Sequence, residues 1–225
     1  MTPRRRFWHV AAAGTAFQAG SAAIDSSTIM AALILQLTGS PLAVGAVPAI
    51  LRLGWLTPQI FVGYLAGRSG ASMPFYAVGA FGRTAAIALL AIVLWLGPAA
   101  DWRPAALGAA VLSLWTLYAF VSGIVGVPYN DIVARSVSPD LRSRLLALRF
   151  FGGGLVALAV AALADHIVRT TDFPVSYAAV FGIAAALMLV SSVLFVSMGE
   201  PKRPGISKGT ESVAAYFRAV SQRLV

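Results

Sequence analysis

Six long apolar runs constrain what this chain can fold into more than any other feature. A helix that spans a bilayer needs about 20 consecutive, mostly apolar residues, and the runs fall at residues 7–37, 41–66, 74–97, 105–127, 145–168 and 175–198. Charged residues make up only 11% of the chain, against about a quarter in ordinary soluble domains. We therefore predict an all-α integral membrane protein with six transmembrane helices, whose surrounding partner is the lipid bilayer.

The segments between these runs are short and carry glycine, proline and polar residues, which predicts antiparallel hairpins. Four such turns are marked: 38–41, 67–73, 97–104 and 172–174. We expect one six-helix bundle over residues 1–198. A cytoplasmic basic linker should follow over 199–225, with an amphipathic helix that begins with Thr210 as its cap.

The positions of the basic residues predict the orientation in the membrane. The formal net charge is +9, which in a soluble protein would suggest a nucleic-acid partner. With the amino terminus inside, the outer turns hold only Arg103 and Arg169. Twelve basic residues fall on inner segments: Arg4, Arg5, Arg6, Arg68, Arg135, Arg142, Arg144, Lys202, Arg203, Lys208, Arg218 and Arg223. Because cytoplasmic segments are enriched in Lys and Arg, we expect a protein of the bacterial inner membrane with both termini in the cytoplasm. The basic residues are then explained by orientation, and we expect no nucleic-acid partner.

The turn between the second and third spans also carries a pattern, G-x-L-A-x-R-x-G. Five residues form it: Gly63, Leu65, Ala66, Arg68 and Gly70. It resembles the loop between spans two and three of the major facilitator superfamily, which reads G-x-L-A-D-R-x-G-R-R/K. Gly67 replaces the aspartate of that motif, and Ala71 and Ser72 replace its basic pair.

The segment between the fourth and fifth spans is rich in arginine and resembles a second loop of the same superfamily, P-x-x-x-R-x-R. Pro139, Arg142 or Arg144, and Arg149 resemble this loop, with the first arginine one residue closer to the proline than in that pattern. Ser138 before Pro139 predicts a helix start. Either these arginines only anchor the inner face, or the segment takes part in gating. The predicted gating residues are Gly63, Arg68, Gly70, Arg142, Arg144 and Arg149.

The resemblance implies a secondary active transporter that moves a small solute by alternating access, with no bound cofactor and with a coupling proton or cation as a further partner. It also implies a 3+3 inverted repeat within the six spans. Residues 64–68, at the end of the second span, are similar in sequence to residues 162–166, at the end of the fifth span, one three-span unit later. The chain resembles the amino-terminal half of such a transporter, so a second six-span half is expected, from another copy or a separate chain. The alternatives are a truncated half without transport and a membrane scaffold or assembly protein.

Polar residues deep in the first two spans predict a solute or ion pathway. Asp25 and Arg52 lie at nearly equal distance from the turn at 38–41, so they are placed either to form an ion pair or to line a wet cavity. Polar stripes run along both spans, and Trp115 and Tyr118 share a face of the fourth span. The predicted pathway residues are Gln18, Asp25, Thr28, Arg52, Trp55, Gln59, Trp115 and Tyr118. Arg83 is expected to snorkel or to pair within the bundle.

Several classes of chemistry lack the residues that they need. The chain has no cysteine, and His9 and His166 lie near opposite faces, so we predict no metal site. It also lacks the G-x-x-x-x-G-K-S/T, H-E-x-x-H and G-x-S-x-G motifs. With Asp25 as the only deep acid, an intramembrane enzyme is not expected.

Overall fold

The computed structural model describes residues 1–201 of the chain, and within that range it is helical, without strands. The helices are α1 (Pro3–Ala23), α2 (Ile29–Thr38), α3 (Pro41–Ser69), α4 (Met73–Ala99), α5 (Pro104–Ser136), α6 (Pro139–Thr170) and α7 (Val175–Ser197). The last five are long and apolar enough to cross a membrane, which indicates an integral membrane protein with a bundle of helices. The predicted amphipathic helix after Thr210 lies outside the described residues.

The first predicted span, 7–37, is two helices rather than one. The chain leaves helical geometry between Ala23 and Ile29. There one carboxylate oxygen of Asp25 accepts hydrogen bonds from the Ser27 backbone N–H at 3.0 Å and from the Thr28 hydroxyl at 2.8 Å. A short acidic side chain that bonds its own following residues competes with helix continuation, which explains the break.

Two segments predicted as loops are largely helical. The polar segment at 128–144 continues α5 to Ser136, and α6 begins at Pro139. Arg142 Nη2 donates to the carbonyl of Ala134 at 2.6 Å, which holds the two helix ends together. The turn between α3 and α4 is likewise reduced to 70–72, where Gly70 adopts the left-handed φ of +72° that glycine permits.

The helices pack in a definite order of neighbours. Helix α1 contacts α6 and α7, helix α5 contacts α3 and α4, and α4 also contacts α7. Within an apolar 18-residue window of each helix, the buried share is 11% in α3 and in α6. It is 44% in α4, 39% in α5 and 44% in α7. Helices α3 and α6 are therefore peripheral, and their outer faces are available to lipid or to another bundle.

Glycine permits an unusually close approach of α3 and α5. A Cβ added at Gly123 would lie 2.5 Å from the carbonyl oxygen of Gly54 and 2.9 Å from Cδ of Pro58. Because Pro58 has no N–H, it leaves that carbonyl without its usual helical hydrogen bond. The backbone of α5 can therefore pass directly beside the exposed carbonyl, and any side chain at residue 123 would force the helices apart.

Polar contacts place both ends of the described chain on one face of the bundle, which we call the amino-terminal face. Arg6 Nη1 donates to the Gly199 carbonyl at 3.0 Å. The carboxylate of Glu200 accepts from the backbone N–H groups of Ser72, at 2.9 and 3.0 Å, and Met73, at 2.8 Å. Glu200 thereby caps the start of α4 from a distant part of the chain, where an anion is favourable.

Candidate functional site

A cavity of about 510 Å³ lies between the helices, a volume typical of sites for small molecules. Its wall draws residues from six of the helices and from the break after α1. The charged members are Asp25, Arg52, Arg83 and Arg149. Around them are aromatic side chains: Phe17, Trp55, Tyr76, Trp115, Tyr118, Tyr129 and Phe195. A cavity with this composition can hold a polar organic molecule.

The structure brings together five of the eight predicted pathway residues. Those on the wall of the cavity are Asp25, Arg52, Trp55, Trp115 and Tyr118. Gln18, Thr28 and Gln59 are not among the residues that line the cavity within 1–201. Gln18 instead packs against Gly153 of α6, Thr28 donates to Asp25, and Gln59 donates from Nε2 to the Trp55 carbonyl at 2.8 Å.

Asp25 and Arg52 share the cavity without pairing. Within the described residues, no nitrogen of Arg52 lies within 4.0 Å of the Asp25 carboxylate, although both side chains line the same space. Asp25 is held by its local hydrogen bonds to Ser27 and Thr28. Of the two interpretations that the sequence leaves open, the structure therefore favours the cavity lining.

Arg83 does not snorkel to a surface. Its side chain is buried, with 5% of the residue exposed, and its guanidinium lies 4.1 Å from the centre of the Phe17 ring. Among the described residues it has neither an ion pair nor a hydrogen-bond partner, and its buried Nε is unsatisfied. The expected pairing within the bundle is thus replaced by stacking on an aromatic ring at the cavity wall.

Arg149, predicted as part of a gating loop, lies on the cavity wall instead. Its Nη1 donates to the Tyr129 hydroxyl at 3.0 Å, and its guanidinium carbon lies 5.0 Å from the centre of that ring. The side chain runs across Gly14, where an added Cβ would be 2.8 Å from Arg149 Cγ and Cδ. Helix α6 carries it ten residues past its start at Pro139, which is too deep for the surface turn.

The other predicted gating residues stay on or near the amino-terminal face. Arg68 bonds the hydroxyl of Tyr64 on the same helix, and Arg142 binds carbonyls at the end of α5. Arg144 is exposed. Gly63 lies within α3, and Gly70 ends that helix. Arg68 and Gly70 therefore lie at the end of α3, and Gly63 lies further inside it.

Aromatic contacts fix the shape of the cavity at two levels. Trp115 Nε1 donates to the Val47 carbonyl at 3.0 Å, tying α5 to α3, and its ring stacks on Tyr118 with centroids 5.1 Å apart. Farther toward the amino-terminal face, Phe195 packs between Tyr76, at 4.1 Å, and Tyr129, at 5.2 Å. Buried rings held in this way give rigid apolar surfaces for a ligand.

One signal in the sequence identifies the arginines of the cavity. Of 17 basic residues, twelve fall on predicted inner segments and two on outer turns. The three that remain are Arg52, Arg83 and Arg149, and all three line the cavity. A basic residue that topology does not explain is thus the better indicator of the site, and Arg83 and Arg149 could have been found in this way.

No protein family, curated protein or solved structure matches this chain. Its function is therefore inferred from the cavity, the charges on the cavity wall and the packing of the helices around it.

Proposed function

We propose that the chain is a six-span bundle of a secondary active transporter of the major facilitator type, which moves a small solute by alternating access. The observation that carries the proposal is the polar cavity. An ionisable side chain inside a membrane is costly, and such residues usually face a partner or a water-filled path. Here four of them face one cavity of small-molecule size.

The order of helix neighbours supports a 3+3 repeat. In this proposal α1 and α2 together form the first span, and α3 to α7 form the other five. Exchanging the first three spans with the last three maps the main neighbours of α1, which are α6 and α7, onto the main neighbours of α5, which are α3 and α4. The weaker contacts of α2 with α3 and of α6 with α7 do not follow the exchange within the described residues. The equally shallow burial of α3 and α6 follows the same exchange, as an inverted repeat would require.

Alternating access requires a second wall, so we propose that a second six-span bundle covers the open side of the cavity. Arg52, Trp55 and Asn130 line the cavity and are exposed in the single bundle. We further propose that the amino-terminal face lies on the cytoplasmic side of a bacterial inner membrane, because basic residues are enriched on cytoplasmic segments. A coupling proton or cation would drive transport, and Asp25 is the cavity carboxylate available to bind it.

The absence of cysteine makes the test clean, because one introduced thiol is the only thiol in the chain. Asn130→Cys and Ser26→Cys place it on the cavity wall near its two ends, and Ser113→Cys places it on an exposed part of α5 that does not line the cavity. In proteoliposomes, a membrane-impermeant maleimide should label the first two from opposite sides and leave Ser113→Cys unlabelled, because a thiol in lipid does not ionise.

Solute uptake and labelling together decide the proposal. We expect conditions that increase labelling at one end of the cavity to decrease it at the other. If both cavity positions are labelled from a single side under every condition, and no solute accumulates in the vesicles, the chain is a non-transporting half or a scaffold.

A further inference from the structure

Two arginines of the cavity are held against the same turn of α1. The guanidinium of Arg83 stacks over the Phe17 ring, 4.1 Å from its centre. The side chain of Arg149 crosses Gly14, where an added Cβ would lie 2.8 Å from Arg149 Cγ and Cδ. Residues 14 and 17 are separated by about 4.5 Å along the helix axis, less than one turn. The two cationic side chains therefore approach the cavity in one small region.

The same two arginines lie at matching depth. Each is ten residues from the start of its helix at the amino-terminal face, Arg83 after Met73 and Arg149 after Pro139. Ten helical residues rise about 15 Å, so both arginines are set back from the amino-terminal face by about three turns of helix. Both guanidinium groups line the cavity inside the bundle, where an uncompensated charge is costly.

No acidic group of residues 1–201 forms an ion pair with either arginine. Within the described residues, the Arg149 guanidinium bonds only the neutral hydroxyl of Tyr129, and Arg83 bonds no group. The Nε atoms of both arginines and the Ser21 hydroxyl are buried without a partner. Asp25 is the only carboxylate on the described cavity wall, against three guanidinium groups, and it already accepts from Ser27 and Thr28.

We propose that the cavity binds a small organic anion, whose carboxylate or phosphate is held by Arg83 and Arg149 and whose apolar part lies against the aromatic wall. The planar fork of arginine donors matches the geometry of both anions. An anion would compensate the buried charges, and the stacked rings of Trp115 and Tyr118 offer an apolar surface. This inference rests on the proposed function, since it names the class of solute for that cavity.

Binding is tested first on the full chain in nanodiscs of phosphatidylcholine, with four probes of one shape: benzoate, phenyl phosphate, benzamide and benzylammonium. At constant ionic strength, the two anions should raise the unfolding temperature in a saturable way, because a ligand that binds only the folded state stabilises it. Benzamide and benzylammonium should not. Equal stabilisation by the neutral or cationic probe, or no stabilisation by either anion, overturns the proposal.

Substitutions of the two arginines test whether the anions bind at Arg83 and Arg149. Arg83→Gln and Arg149→Gln should each weaken binding of the anions about tenfold or more, the equivalent of losing one charge-assisted hydrogen bond. Arg169→Gln is the control, since Arg169 is exposed and pairs with Asp165 on the opposite face. If Arg83→Gln does not fold, Arg83→Lys keeps the charge without the fork and should bind with intermediate affinity. Unchanged affinity in these cavity variants overturns the proposal.

Two further arms separate the alternatives. Nanodiscs that contain phosphatidylglycerol test a lipid headgroup as the source of the anion; stabilisation by this lipid that depends on Arg83, with none by benzoate, contradicts a soluble solute. Uptake of labelled benzoate into proteoliposomes tests transport. Binding that depends on Arg83 without uptake contradicts the transport function and supports the anion site, whereas uptake of a neutral or cationic solute without anion binding contradicts the anion site alone.

Discussion

The guanidinium of Arg135 lies 2.6 Å from a carboxylate oxygen of Glu200, and this ion pair joins the end of α5 to the segment that follows α7. Arg135 also pairs with Asp131 at 2.6 Å and donates to the Pro201 carbonyl at 2.6 Å. Burial by itself would raise the pKa of the Glu200 carboxyl. The hydrogen bonds from the backbone of Ser72 and Met73, together with Arg135, outweigh it and lower the pKa below the usual value.

Glu200→Gln should therefore destabilise the bundle, by about 1–2 kcal/mol, because the cap of α4 loses its charge. Since the folded pKa is depressed, the stabilisation by Glu200 is fully present above the unfolded value of about 4.3 and is lost as the pH falls through the folded pKa. The difference in unfolding free energy between wild type and variant, measured from pH 7 downward, should follow that course.

The matched control for this prediction is Asp165→Asn, which removes a carboxylate from an exposed pair with Arg169. Exposed pairs contribute little, about 1 kcal/mol at most, so the control should change stability less than Glu200→Gln. A difference that stays constant down to the acid limit would show that Glu200 does not act through its charge.

Gly123→Ala should separate α3 from α5. The added Cβ would meet backbone carbonyl oxygens of Gly54 at 2.5 Å and of Trp55 at 2.7 Å, and backbone cannot move aside as a flexible side chain can. Overpacking of this kind costs about 1–3 kcal/mol, so we expect a lower unfolding temperature. Gly45→Ala, on α3 with no described atom within 4 Å of its added Cβ, is the control and should be nearly neutral. Equal effects of the two variants would contradict the close approach.

Asp25 and Arg52 should behave as independent residues. Asp25→Ala removes the acceptor for Ser27 and Thr28, and loss of such a local cap costs about 1 kcal/mol. Because no ion pair joins the two described side chains, the effects of Asp25→Asn and Arg52→Gln on unfolding free energy should add to within about 0.5 kcal/mol in the double variant. A larger coupling energy would contradict this independence and show that Asp25 and Arg52 interact as an ion pair.

The sequence predicted the five long apolar helices, α3 to α7, because hydropathy and length reflect the same physical demand, which is to keep backbone polar groups bonded in lipid. It failed at 24–28 because a break made by local bonds of Asp25 leaves the surrounding run apolar. At 128–144 the predicted helix start at Pro139 is confirmed, but the continuation of α5 was not predicted. Polar residues there show that the chain has left the hydrocarbon, whereas the helix itself continues to Ser136.

The sequence likewise predicts only part of the candidate site. Asp25, Arg52 and Trp115 could be placed by depth and by helical face, since both follow from residue spacing. The stacking of Arg83 on Phe17 and the path of Arg149 across Gly14 could not. Each depends on which helices become neighbours, and single-helix periodicity carries no information about that.

The last prediction is that the chain, expressed alone in nanodiscs, pairs with a second copy over the open side of the cavity. Arg52 and Trp55 line that cavity and remain exposed, Trp55 to 47%. An arginine facing hydrocarbon costs about 2.5–3.5 kcal/mol on insertion scales, so a second copy that covers Arg52 is favoured.

Mass measurement should give two 23.4 kDa chains, and Trp55→Cys should cross-link between copies on oxidation. Trp95→Cys, on α4, is 60% exposed as tryptophan but does not line the cavity, so it should not cross-link. A stable single copy that transports a solute would refute the pairing, and one without transport would assign the cover to a different chain.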